Sequence, residues 1–442
     1  MGTLDTLFVL PLLIIFSYLF DAFARKTKFP SVILLMGTGI ALRALTQSFG
    51  YTQFSFLDNL IPVLGTIGLI LIVLEGALEL DLKLNKLKVI LKGFLAALVL
   101  LVANVIILRW GFEVFLAYDP QQALIYAIPL SIISSAVAIP SAANLIDTEK
   151  EFVVYESTFS DILGIMLFYY AIGQVEKQES LLGWEPLGKL SLQIVGIIVG
   201  SVAISFALLW LIKQIEHQVK FFLILALLIL VYALGKYFHL PALVTIFIFG
   251  LFLSNSQQLL PSFLKSQLSE EETAEELHEF HLLTAESTFI VRTFFFLFFG
   301  FSIPLSNFTA PMPYLIGLLI LGAMFGLRYL YFMLTQLKIR PGALAYMAPR
   351  GLISILLFLQ IKDLDFLKAF KTGLNEQELL VVILFSMVLM TLGTVGKSSA
   401  TDPAEENLEL PTEPLEELTD DDAPELLIEP PHQEENSSDE IS

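Results

Sequence analysis

The chain of 442 residues is 56% hydrophobic and only 16% charged, with a mean hydropathy of +0.76. Soluble domains run at roughly half apolar and a quarter charged, so this composition excludes a water-soluble protein. The formal charge of -19 is unevenly placed: Asp402 to Ser442 holds sixteen acids and no Lys or Arg, leaving 28 acids against 25 bases elsewhere. The acidity belongs to a tail, and the body offers nothing to a nucleic acid. The absence of cysteine rules out disulfides, thiolate metal sites and a Cys nucleophile. Five scattered His give no metal centre, and no cofactor is expected.

Thirteen apolar stretches are long enough for a ~30 Å hydrocarbon core, near 3–22, 30–46, 56–78, 88–110, 120–146, 151–173, 190–213, 219–236, 239–256, 284–303, 312–336, 342–361 and 376–396. Backbone groups in lipid must be satisfied within their own segment, which makes these helices. The first stretch has an acidic Asp5, no basic flank and no small-residue cleavage site, and reads as a retained membrane helix. The myristoylation-like start MGTLDT is read as coincidence, because one acyl chain adds nothing to many spans. The fifth stretch carries Pro129 and Pro140 among Ser131, Ser134, Ser135 and Ser141, and the twelfth carries Pro349 and Gly351 around Arg350. Interrupted helices at corresponding places in two halves point to a transport site.

Between the ninth and tenth stretches, Ser266–His281 reads as a short cytoplasmic helix, and Asn307-Phe308-Thr309 is a glycosylation sequon. The domain division expected is 1–397 for the membrane body and 398–442 for an acidic, disordered cytoplasmic tail. Basic residues set the orientation. With the N-terminus outside, thirteen Lys and Arg, among them Arg25, Lys83, Lys150 and Arg340, fall on cytoplasmic connections and seven on external ones.

Ionisable groups inside a membrane are costly and mark function. In the sixth stretch, Glu156, Ser157, Ser160 and Asp161 share one helical face at ~100° per residue. Two carboxylates and two hydroxyls suit a hard monovalent cation shedding its water. Glu156 can be neutralised by a buried Arg, with Arg328 and Arg350 the candidates; Arg292 is a further membrane-embedded base. Asp161 then remains free to titrate.

These residues resemble the monovalent cation:proton antiporter superfamily and its Na+/H+ exchanger branch. FPSVILLMGTGIALR is similar to the family's second helix, EGALELDLKLNKLK to its "G-L-x-L-D" stretch, and YESTFSDILG to "E-S-x-x-N-D". RTFFFLFFGFSI is similar to the aromatic helix ending in Gly, and APRGLISI to "G-x-R-G". The resemblance implies an all-α polytopic fold of about 13 helices, an inverted repeat with two crossed broken helices, and a homodimer. It implies Asp161 as the carboxylate of the transported Na+ or K+, with Ser157 beside it. It implies a core ion pair of Glu156 and Arg328, and Arg350 beside the unwound helices with Pro140 and Ser135. Two positions depart from the pattern: Ser160 stands where Asn is usual, and "D-P" in the fifth stretch reads as Ile139-Pro140.

The function expected is therefore exchange of a monovalent cation, Na+ before K+, for H+ by alternating access. The alternatives are a membrane sensor or scaffold that transports nothing, or a Na+-coupled organic anion symporter. No nucleotide loop or catalytic triad is visible, so an enzyme is not expected. The setting expected is the bacterial inner membrane, N-terminus outside and C-terminus cytoplasmic, with lipid, protons and cations as partners.

Overall fold

A computed structural model describes residues 11–12, 14–20, 22–23, 30–48, 56–80, 82–83, 86–142, 145–176, 196, 199–207, 221–237, 242–255, 270–303, 311–335, 341–361, 364, 367 and 373–395. The sequon and the tail lie outside them, as does most of the seventh stretch. The chain divides into a unit Met1–Ser398 and a unit Ser399–Ser442. Every regular element among the described residues is helical.

The order is α1 (Ser31–Ser48), α2 (Phe56–Leu78), α3 (Leu87–Phe115), α4 (Pro120–Ser131), α5 (Ser135–Ser141) and α6 (Asp147–Glu176). Then come α7 (Phe221–Tyr237), α8 (Ala242–Ser254), α9 (Glu270–Ser302), α10 (Met312–Thr335), α11 (Pro341–Leu344), α12 (Leu352–Ile361) and α13 (Glu376–Val395). Among the described residues, eight helical stretches are long and apolar enough to cross a membrane, α4 and α5 together forming one of them, and three shorter apolar helices accompany them. Of the helix expected over Ser266–His281, the described residues 270–281 are instead the first turns of α9. No Gly or Pro separates EEETAEELHEFH from the apolar run that follows, so nothing ends the helix there.

A long helix, an interrupted helix and a second long helix occur twice in the chain. The first set is α3, α4/α5 and α6, and the second is α10, α11/α12 and α13. In each set the two long helices touch, or both pack on the interrupted one: α3 meets α4 and α6, while α10 meets α11 and α13. Across the sets, α3 packs on α10 and α12 on α4.

Close packing is made by small residues, as lipid supplies no hydrophobic drive between helices. A Cβ at Gly39 of α1 would lie 2.7 Å from the Phe301 nitrogen, and one at Gly300 of α9 would lie 2.9 Å from Met36 Cα. These two glycines let the α1 and α9 backbones touch.

The chain leaving α2 is held by the end of α8. Asn255 Oδ1 accepts from the Leu82 N–H at 2.8 Å, and its Nδ2 donates to the Leu80 carbonyl at 2.8 Å. Ser254 Oγ donates to the Leu78 carbonyl at 2.7 Å. Asn255 is buried, so its loss would orphan two backbone groups away from water. Asn255→Ala should cost about 1–3 kcal/mol, read as a lower Tm in detergent, whereas an unchanged Tm would mean that water reaches this corner.

Candidate functional site

The two interruptions meet, and the backbone groups they free are exchanged between them. In an unbroken helix the Ser134 N–H would bond the Leu130 carbonyl. Instead it donates to the Pro349 carbonyl of the second interruption at 2.9 Å. The Leu130 carbonyl receives Arg350 Nε at 2.5 Å, so each orphan finds a partner in the other broken segment. Gly351 permits the approach: a Cβ there would stand 2.8 Å from Ser134 Cβ. The break falls at Ile132–Ser134, between the two prolines and not at either of them. Pro140 itself lies exposed near the end of α5.

Arg350 is 1% exposed. Its Nη1 donates to the Ala348 carbonyl at 3.0 Å, and its own N–H donates to Ser386 Oγ of α13 at 3.0 Å. It joins both broken segments to α13. It does not bond Glu156.

Glu156 is held by Arg328 in a two-pronged pair, Nη1 to Oε1 at 2.5 Å and Nη2 to Oε2 at 2.7 Å. The remaining guanidinium donor, Nε, reaches the Leu344 carbonyl at 2.8 Å, and the plane lies 5.0 Å from the Phe332 ring centroid. At 1% and 2% exposure neither partner meets solvent. A planar fork with extra hydrogen bonds is the arrangement that makes a buried pair tolerable.

Asp161 is 3% exposed and stands five residues further along α6. Its Oδ2 accepts from the Ser135 N–H at 3.1 Å and from the Ser135 hydroxyl, both on the first turn of α5. Its Oδ1 is buried and has no partner among the described residues. Ser160 accepts the Ile133 N–H at 3.0 Å and so props the break from the α6 side. Ser157 donates to the Val153 carbonyl of its own helix at 2.7 Å, which leaves its oxygen lone pairs available. Gly164, one turn beyond Asp161, leaves space that Ile132 of the break fills.

Two groups escaped the sequence reading, and a third, Arg292, was named there without a role. Thr158 on α6 and Ser354 on α12 have buried hydroxyls with no partner among the described residues, and only a three-dimensional arrangement singles them out. Arg292 donates to the Ala136 carbonyl of α5 at 3.1 Å. Its place in a membrane stretch was a signal, but its partner on another helix was not legible.

Against known proteins, residues 12–398 match the family described as "Sodium/hydrogen exchanger, transmembrane". The chain belongs to the sodium/hydrogen exchanger family. The exchanger's fold is similar to that of the sodium proton antiporter MjNhaP1 from Methanocaldococcus jannaschii at pH 8. That match has a TM-score of 0.65 at 20% identity and covers 90% of this chain and 100% of that one. An electron-microscopy structure of the same antiporter matches with a TM-score of 0.64 at 19% identity, covering 90% and 96%. At such identity the likeness is one of fold. No curated protein sequence matches the exchanger. Its relatives are antiporters, not enzymes.

Chemically, the site offers one neutralised carboxylate and one carboxylate with an open oxygen. The open one faces the crossing of two broken helices. A site of this kind can hold a proton or a small cation, each of which cancels the Asp161 charge.

Proposed function

We propose that this exchanger swaps a monovalent cation, Na+ in the first place and K+ as the alternative, for H+ by alternating access, with Asp161 binding each in turn. The observation that carries the reading is the contrast between the two buried carboxylates. Glu156 is fully engaged by Arg328, while Asp161 keeps Oδ1 without a partner beside the broken helices. Ser157, one turn back on the same face, supplies a further oxygen, and Ser160 and Ser135 fix the geometry around it. Arg350 and Pro140 act on the broken helices and not on the ion. The exchanger needs no bound cofactor in this scheme. It works as a homodimer in a bacterial inner membrane, N-terminus outside and C-terminus cytoplasmic, with the body 1–397 carrying transport and the acidic tail dispensable for it.

The test is the full chain in proteoliposomes with a pH dye inside, stepping external Na+, K+ and Li+ in turn. Cation entry should alkalinise the lumen, and apparent cation affinity should fall as pH drops, because protons occupy the same carboxylate. A dye signal that ignores every cation would overturn exchange. A rate that follows imposed membrane voltage would show that the swap is not one cation for one proton. Truncation after Ser399 should leave the rate intact, as the tail has few apolar residues to bury against its many repelling acids; loss of assembly would show that the tail docks on the body.

A further inference from the structure

Pro140 has a consequence for the backbone of α5. An unbroken turn would send the residue-140 N–H to the Ala136 carbonyl, but proline has no N–H. The Ala136 carbonyl is therefore orphaned inside the bundle, and an orphan there must find another donor. Arg292 of α9 supplies it, Nη1 donating at 3.1 Å. The next residue back, Ser135, is the one whose N–H and hydroxyl both bond Asp161. A guanidinium on α9 is thus one residue removed from the group that holds the ion-binding carboxylate.

The α2 helix packs along α9. Glu75 and Glu79, one turn apart on α2 and its end, lie within electrostatic range of Arg292 without an ion pair to it among the described residues. Glu75 also lies against the Thr288 hydroxyl of α9, and Lys150 at the start of α6 adds a second positive charge near Glu79. A guanidinium has five donors in a rigid fork and no acceptor, so it can answer a carbonyl on one edge and carboxylates on another.

We propose that Arg292 is a positioning residue: it grips the Ala136 carbonyl freed by Pro140 and so holds α5 with Ser135 against Asp161. Its effect on transport rests on the exchange reading above; its effect on α5 does not. Without it, α5 is tied to the bundle by fewer bonds, and Ser135 drifts from the carboxylate. The maximal rate depends on the cycle as a whole, so the loss appears first in cation affinity.

Arg292→Gln, Arg292→Lys and Pro140→Ala in the full chain test this by two readouts. In proteoliposomes, Arg292→Gln should raise the cation KM by about tenfold, the range seen when a group behind a metal ligand is removed, with a smaller change in maximal rate. Arg292→Lys should lie between it and the wild type, since an ammonium keeps the charge but not the fork. Pro140→Ala restores an N–H that can take the same carbonyl. In that background the effect of Arg292→Gln should shrink, because two changes acting on one atom are not additive. The second readout is amide hydrogen exchange across Ser135–Ser141 in detergent, which should quicken in Arg292→Gln and recover in the Lys variant. An unchanged KM and unchanged α5 protection would overturn the proposal, as would an equal Arg292→Gln effect with and without Pro140. If Arg292→Gln fails to fold, Arg292→Lys and Pro140→Ala give the same two readouts. If the wild type exchanges nothing, the proposed function falls, and α5 protection still decides on Arg292.

Discussion

Arg328→Ala should lower the stability of the folded protein by about 3–5 kcal/mol, because it leaves Glu156 charged and buried without its partner. The same change removes the donor on the Leu344 carbonyl and the ring contact with Phe332, so three bonds and a packing surface go together. The measurement is the Tm of purified protein in detergent, with expression as a second sign. Glu156→Gln alone should cost less, since a neutral amide can still accept from the guanidinium. The double change Glu156→Leu with Arg328→Met should recover part of the loss, as a buried pair can often be replaced by apolar residues of similar volume. A stable Arg328→Ala protein would mean that Glu156 sheds its charge or turns to Arg350, which lies within electrostatic reach of it.

Much of this fold was legible because lipid leaves the chain few choices. Stretches such as 88–110 and 312–336 have nowhere to satisfy their backbone but within a helix, and both are helices. Boundaries were less legible. The acidic segment before α9 looked like a separate soluble piece by composition, yet composition does not end a helix; a Gly, Pro or capping residue does, and none is present. In the fifth stretch the prolines announced an interruption without fixing its place. The break lies at Ile132–Ser134 because that is where Pro349, Arg350 and Ser160 supply the bonds that an unbroken helix would have made internally. Those partners are 27 or more residues away, and no local pattern carries them.

The site divides in the same way. Spacing on α6 put Glu156, Ser157, Ser160 and Asp161 on one face, which is a local property of a helix. Which base would meet Glu156 is a question about helix packing, and the residues alone left Arg328 and Arg350 equal. Ser135 as the partner of Asp161, and Arg292 behind it, follow from where the break puts α5.

Asp161→Asn should abolish cation-driven proton movement while leaving the fold intact. The amide keeps the shape of the carboxyl, and its oxygen can still accept from the Ser135 N–H and hydroxyl, so the contact between α6 and α5 survives. What disappears is the charge. On the proposed scheme the wild-type site is neutral when it holds a proton and neutral when it holds a cation, and charged only when empty. Carrying an unpaired charge through a low-dielectric core is costly, so on that scheme the empty site would be the form that cannot cross, and the two ions would be forced to alternate. An amide is neutral when empty, so it removes both the attraction for a cation and the penalty that couples the two fluxes. Proteoliposomes with an internal pH dye should therefore show no response to a Na+ step at any pH, with a Tm near that of the wild type. Persistent exchange in Asp161→Asn would move the ion-binding role elsewhere. If the Tm fell as far as in Arg328→Ala, the carboxylate would be structural, and the distinction drawn between the two buried acids would fail with it.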